Sequence, residues 1–309
     1  MTIIRTIDNN NLTHSGIIEN PVCLLLITGI LIGFNFPLGK IAVNAGISPL
    51  VWAMVISFGA SAFTLPILVT KRRLILPRGK LLVYVVFSSL ITYVIPNFIL
   101  YNILPYTGSG YTGLMYALSP VFTLTMAMLL RIHRPTYMGA LGIIIGMIGA
   151  FTVSISYGLA PKSPSLFWIA AALLIPLFLA FGNIYRTIYW PDKALPDLLA
   201  FWSHVFSVIV FMFLLLLTKG TVPLNELSYS PSIVAAQMLV AGLTYPVFFR
   251  LQQKGGPVLL SQIGYIAAAV SIIIATILLK EQYTIMTWGG ATIIAVGIAV
   301  TIKAQIKKT

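Results

Sequence analysis

The chain has 309 residues, of which 59% are hydrophobic and only 8% are charged. A soluble domain carries about 25% charged residues, so the composition excludes a soluble protein and predicts an all-α integral membrane protein. The net charge of +13 is scattered thinly along the chain, which excludes the basic face of a nucleic-acid-binding protein. A single cysteine, Cys23, excludes an intramolecular disulfide and a thiolate metal cluster. We therefore expect no nucleic-acid partner, no metal and no cofactor.

Residues 1–20 are polar and are predicted to form a tail. A helix needs about 20 mostly apolar residues to cross a bilayer, and ten such runs follow with short connections. Pro49, Pro196 and Pro231 stand at predicted helix starts, where the missing N–H does no harm. The predicted spans 1 to 10 are 21–43, 49–70, 80–103, 107–131, 136–157, 165–187, 196–218, 231–252, 256–280 and 284–303.

The distribution of basic residues predicts the orientation, because cytoplasmic segments of membrane proteins carry the excess of lysine and arginine. With the amino terminus in the cytoplasm, only four of the 19 basic residues fall on outer segments, namely Lys40, Lys162, Lys219 and Lys280. Both termini are therefore predicted to be cytoplasmic.

Two stretches, 113–150 and 261–298, match each other at an offset of 148 residues. Asn35 in span 1 and Asn183 in span 6 keep the same offset. Because each set of five spans is odd in number, the second set must enter from the opposite side, which predicts inverted repeats. The predicted parts are a cytoplasmic tail at 1–20, a first repeat at 21–157, a linker at 158–164, a second repeat at 165–303 and a cytoplasmic tail at 304–309. The pairs matched within the two stretches include Thr136/Thr284, Met138/Met286, Gly142/Gly290 and Gly149/Gly297.

Several of these features resemble the ten-helix EamA-type proteins of the drug/metabolite transporter superfamily. They are GFNFPLGK at 33–40, the glycine-rich pairs of spans 4/5 and 9/10, Ser119-Pro120 within span 4 and Lys280-Glu281 closing span 9. The resemblance implies a substrate cavity between the halves, walled largely by spans 1, 3, 4, 6, 8 and 9. It also implies export as the direction of transport and a multi-pass location in the bacterial cytoplasmic membrane.

Polar side chains on span 3 are the first candidates for that cavity. Tyr93, Asn97 and Tyr101 lie four residues apart, which places them on one helix face. They form either a substrate-facing stripe or an interhelical hydrogen-bond seam.

The same two interpretations apply to polar residues on other spans. The symmetry-related amides of Asn35 and Asn183 can each donate and accept hydrogen bonds. They could bind a substrate's carboxylate, ammonium or hydroxyl group, or each could instead bond the backbone of a neighbouring helix. Four more candidates for substrate binding are Tyr116, Tyr245, Gln262 and Tyr265.

Three ionisable residues are candidates for other roles. His204 lies well inside span 7 and is a candidate for proton coupling, although a neutral packing histidine is the commoner case. Arg186 and Arg250 lie near predicted cytoplasmic helix ends. Each either binds an anionic substrate group or snorkels toward the lipid headgroups.

No Asp or Glu lies in the middle of a predicted span, which disfavours a proton-coupled exporter of lipophilic cations. The chain also lacks paired catalytic acids, a GxSxG motif and a P-loop, so we expect no enzyme. The preferred function is secondary transport of small polar metabolites such as amino acids, by alternating access, with the lipid bilayer as surroundings. The sequence leaves the oligomeric state open, a monomer included. The alternatives are a non-transporting scaffold or lipid-interacting protein, and a multidrug exporter.

Overall fold

The computed structural model describes residues 20–132, 136–158 and 165–306. The predicted tails at 1–20 and 304–309 and the predicted linker at 158–164 lie for the most part outside these residues. The described residues form helices and no strand. The α-helices are α1 Pro21–Asn44, α2 Pro49–Thr70, α3 Lys80–Ser89, α4 Ile95–Thr107, α5 Ser109–Tyr116, α6 Ser119–Leu129, α7 Tyr137–Gly158, α8 Leu166–Ile188, α9 Pro196–Lys219, α10 Pro231–Ser261, α11 Ile263–Leu278 and α12 Ile285–Ile306.

Within the described residues, seven helical stretches are long and apolar enough to cross a membrane, and three further apolar helices are shorter. The chain is therefore a helical, multi-pass membrane protein. The number of ten spans and the cytoplasmic position of both termini remain predictions. Helices α1, α2, α9 and α10 each begin at a proline, as the sequence predicted, because proline fixes a helical φ and lacks only an N–H that has no partner there.

Predicted spans 3 and 4 are each interrupted inside the bundle. Span 3 consists of α3, a π-helical turn over Leu90–Val94, and α4. Pro96 is the second residue after the turn and cannot donate the regular hydrogen bond to Thr92, which favours the wider π geometry. Span 4 breaks between α5 and α6.

The predicted boundary between spans 8 and 9 takes a different form. Helix α10 continues to Ser261 and contains one kink, at Gly256, whose φ of 69° is favourable only for glycine. Most of span 9 is α11, which begins after a second break at Gln262. At the offset of 148 residues, the break in span 4 and the break at Gln262 lie within about one helical turn of each other in the two repeats.

Helices α7 and α12 pack through their glycines. A Cβ on Gly142 would lie 2.8 Å from the Gly297 carbonyl oxygen, and a Cβ on Gly149 would lie 2.6 Å from the Gly290 carbonyl oxygen. The contact moves backward along α12 as it moves forward along α7, so these equivalent helices of the two repeats run antiparallel. Close approach of this kind is typical of small residues at helix interfaces in membranes.

Candidate functional site

A cavity of about 60 Å³, called the central cavity below, lies between helices of both halves. Its walls come from α1, α2, the π turn, α4, α5, α6, α8, α10 and α11. This volume holds about four waters. Among the described residues, no lining side chain is acidic or basic. Seven of the sequence-predicted site residues line the central cavity, namely Asn35, Tyr93, Asn97, Tyr101, Tyr116, Asn183 and Tyr245.

The predicted stripe on span 3 lies on one wall of the central cavity. The π turn carries Tyr93, and α4 carries Asn97 and Tyr101. The Tyr93 ring meets the Tyr245 ring of α10 edge to face, with centroids 5.4 Å apart. The Tyr93 hydroxyl is buried and has no hydrogen-bond partner among the described residues, so it is available to a molecule in the cavity.

The two symmetry-related asparagines both line the cavity and bond a neighbouring helix. Asn35 accepts a hydrogen bond of 2.5 Å from the Gln237 amide of α10. Asn183 donates to the Thr123 hydroxyl of α6 at 3.3 Å and accepts from Arg186 at 2.8 Å. Both asparagines therefore make the interhelical hydrogen bond that one interpretation predicts, and substrate binding by them stays a prediction.

Arg186 of α8 is fully buried and does not snorkel. Its Nε donates to the Gln252 side-chain oxygen at 3.2 Å, its Nη2 donates to Asn183 Oδ1, and its Nη1 donates to the Thr92 hydroxyl. The guanidinium also lies 5.0 Å from the centroid of the Phe248 ring. Every one of these partners is neutral.

Arg250 of α10 has a different environment. Its Nη2 lies 3.3 Å from each carboxylate oxygen of Asp197 at the start of α9. The arginine side chain is 36% exposed, and neither residue lines the central cavity. Arg250 is thus an ion-paired group outside the cavity.

Three predicted residues lie behind the cavity walls. Tyr265 packs on α7, where its hydroxyl is 3.5 Å from the Ile143 carbonyl oxygen. Gln262 is fully buried at the break before α11, and neither amide atom has a partner among the described residues. His204 of α9 packs against the rings of both Tyr93 and Tyr245, with centroids 4.3 and 3.9 Å away.

Sequence reasoning passed over several residues of the site. Thr92 lines the cavity, and Gln252 lies behind it as the acceptor for Arg186. In sequence, Thr92 is indistinguishable from Thr28 or Thr64, which simply bond the carbonyl four residues earlier. Only its place four residues before Pro96, where its carbonyl loses the regular helical donor, could have distinguished Thr92.

Two carboxylates tie the second half to the first at the end of the bundle that bears few basic residues. Glu226, on the short turn Leu224–Tyr229, accepts hydrogen bonds from the backbone N–H and hydroxyl of Ser48 at 2.7 and 2.6 Å. Glu281 caps α5 in the same way through Ser109, at 3.2 and 2.9 Å. Each carboxylate thus satisfies free N–H groups at a helix start.

Burial alone would raise the pKa of the Glu226 carboxyl. The hydrogen bonds from Lys219 and Ser48 and the charge of Lys219 outweigh that effect and hold the pKa below its ordinary value. The Lys219 ammonium lies 2.8 Å from Glu226. This end of the bundle is therefore held by an ionised carboxylate at neutral pH.

Comparison with known proteins identifies the fold and the family. A solved structure described only as a crystal structure of a protein aligns with 91% of this chain and 99% of its own, with a TM-score of 0.64 and 16% identity, which shows a shared fold. No curated protein matches the chain. The model of the EamA-like transporter family matches twice, over residues 20–155 and 166–303. The resemblance is confirmed: the chain belongs to the EamA-like transporter family.

Proposed function

We propose that this protein is a secondary transporter that exports small polar metabolites, with amino acids as the leading class, across the bacterial cytoplasmic membrane. The observation that carries the proposal is the central cavity itself. It lies between the two halves and presents amide and hydroxyl groups beside tyrosine rings. Such a lining supplies hydrogen bonds to a polar solute and apolar surface to its side chain.

Alternating access requires the cavity to widen, since most amino acids need more room than about four waters occupy. The wall elements contain the breaks that such a movement uses. They are the π turn before Pro96, the junction of α5 and α6, the Gly256 kink and the junction at Gln262. Interruptions of this kind are the usual sites of helix bending.

The contacts at the two ends of the bundle support loading from the basic, predicted cytoplasmic end. At the opposite end the caps made by Glu226 and Glu281 join the halves. At the basic end a cleft of about 470 Å³ opens between α3 and α8, bordered by Tyr84, Tyr185 and Trp190. The cleft shares no lining residue with the central cavity, so loading from this side requires the intervening helices to move.

The rival functions are less well supported. An exporter of lipophilic cations needs an acceptor for positive charge, and the lining of the central cavity carries none among the described residues. A non-transporting scaffold does not account for a cavity lined by amide and hydroxyl groups between the two halves.

Cysteine accessibility separates the scaffold from the transporter. In a background with Cys23→Ser, Asn97→Cys should react with a small aqueous thiol reagent, because Asn97 lines the cavity. Gln262→Cys should stay protected, because Gln262 is buried behind the wall. Equal protection at both positions would favour the scaffold.

The direct test is flux in proteoliposomes loaded with a panel of labelled amino acids and related metabolites. We expect saturable flux of at least one member and at least a tenfold loss in Asn97→Ala. Asn102→Ala is the matched control, because Asn102 lies on the same helix, bonds the Phe98 carbonyl of its own helix at 2.7 Å and does not line the cavity. Flux of no panel member, or an equal loss in both variants, would refute the proposal.

A further inference from the structure

The charge of Arg186 is uncompensated. Both ion pairs of the described residues, Lys219–Glu226 and Arg250–Asp197, lie elsewhere. Charged side chains inside membrane segments normally pair with one another or serve a function. A fully buried guanidinium with only neutral partners is therefore a site that lacks an anion.

The hydrogen bonds of Arg186 leave part of its donor set unused. A guanidinium carries five N–H groups in a planar fork. Three of them are engaged, by Gln252, Thr92 and Asn183. The remaining two, one on each terminal nitrogen, have no acceptor among the described residues. A carboxylate offers two oxygens at the spacing of such a fork.

Arg186 does not itself line the central cavity, but its two terminal nitrogens are bonded to residues that do. Both of their acceptors, Thr92 and Asn183, line the central cavity, whereas Nε is bonded to Gln252, which does not. Phe248, whose ring faces the guanidinium, also lines the cavity. An anion in the cavity would need to displace only neutral acceptors to reach the terminal nitrogens.

We propose that Arg186 is the anion-binding residue of the transporter and that its substrates carry a carboxylate. The guanidinium binds the two carboxylate oxygens through its terminal nitrogens, and Thr92 and Asn183 give up their bonds or share them. Arg250 does not take this role, because Asp197 already neutralises it outside the cavity. The inference rests on the proposed function and specifies the substrate class.

The experiment measures binding to the purified full-length protein by thermal-shift titration at constant ionic strength and chloride, since a ligand that binds the folded state raises Tm. The probes are L-serine, L-leucine, L-phenylalanine and 3-phenylpropionate, each beside its amide, which removes the negative charge and little else. We expect at least one acid to bind the protein at least tenfold more tightly than its amide. A panel in which no acid binds more tightly than its amide overturns the inference, with no variant needed.

Two arginine variants then locate the charge. Arg186→Gln should reduce the preference for the acid to less than twofold. Arg78→Gln, which makes the same substitution at an exposed loop position, should keep it. If Arg186→Gln is not monodisperse, Arg186→Lys retains the charge but loses the fork, and its preference for the acid should fall at least threefold. An unchanged preference in a folded Arg186 variant overturns the inference.

The outcomes distinguish this inference from the proposed function. Flux of neutral or cationic solutes with no preference for acids would leave transport standing and remove the role of Arg186. Arginine-dependent binding of carboxylates without flux would do the reverse.

Discussion

A pair of adjacent glycines on α12 provides a sharp test of the packing between the repeats. A Cβ on Gly290 would lie 2.6 Å from Val153 Cγ2 and 2.8 Å from the Gly149 carbonyl oxygen of α7. A Cβ on Gly289 would meet nothing within 4 Å. Gly290→Ala and Gly289→Ala therefore make the same chemical change one residue apart, with and without a steric conflict.

The expected magnitudes follow from two opposing effects. Alanine is more favourable than glycine inside a helix by about 0.8–1.0 kcal/mol, and this gain applies to both variants. Forcing an extra methyl group into close packing costs about 1–3 kcal/mol, and this cost applies only at Gly290. Gly289→Ala should raise the free energy of unfolding by up to about 1 kcal/mol, and Gly290→Ala should lie about 1–3 kcal/mol below it.

The assay is reversible unfolding of the purified full-length variants in one detergent, followed by the fluorescence of the five tryptophans. Because the helix-propensity gain cancels between the variants, their difference reports the packing conflict alone. Equal stability of Gly289→Ala and Gly290→Ala would refute the close approach of α7 and α12.

Three further predictions concern the site and its surroundings. The Glu226 carboxyl has a lowered pKa, so the stability it contributes is complete above the unfolded-state pKa of about 4.3 and is lost as the pH falls through the folded-state pKa. Glu226→Gln should cost at most about 1 kcal/mol at pH 7 and make the thermal midpoint less sensitive to acid. Asn35→Leu should lower the free energy of unfolding by about 1–3 kcal/mol in chemical denaturation, because it leaves the Gln237 amide unpaired. Adding Gln237→Leu should restore part of the lost stability. His204→Phe should keep the pH profile of flux within twofold at each pH, because neither imidazole nitrogen has a hydrogen-bond partner among the described residues through which a proton could pass. An altered profile would assign proton coupling to His204.

Helix starts and the breaks beside Pro96 and Pro120 could be predicted from prolines in the sequence, and the break at Gln262 could not. Pro21, Pro49 and Pro231 mark helix starts because proline is accommodated only in the first turn of an unkinked helix. The break after Tyr116 has a cause in the sequence, because Pro120 at the start of α6 cannot donate the regular hydrogen bond to the Tyr116 carbonyl. The break at Gln262 has no proline four residues after a carbonyl of its own turn to mark it. Packing between α5 and α11 accompanies them: a Cβ on Gly264 would lie only 2.0 Å from the Tyr116 carbonyl oxygen.

Residue spacing predicts which side chains share a helix face, but it does not predict how deeply each side chain is buried. Tyr93, Asn97 and Tyr101 were predictable as a set because residues four apart lie together on a helix. Arg186 lies two residues before the end of α8, a place from which most arginines snorkel. Its burial depends on the neighbouring π turn and α10, whose position no local pattern encodes.

The two repeats share a scaffold but differ in charge, and this difference gives a bound carboxylate one orientation. Asn35 and Asn183 occupy equivalent positions and both line the cavity. Three residues after Asn183 comes Arg186, whereas three residues after Asn35 comes Leu38. The α8 wall can therefore bind an anion, and the α1 wall offers an amide already bonded to Gln237. On the proposal for Arg186, a substrate lies with its carboxylate toward α8 and the rest of the molecule toward α1, so changes at Asn35 should alter side-chain preference while changes at Arg186 alter the requirement for the acid.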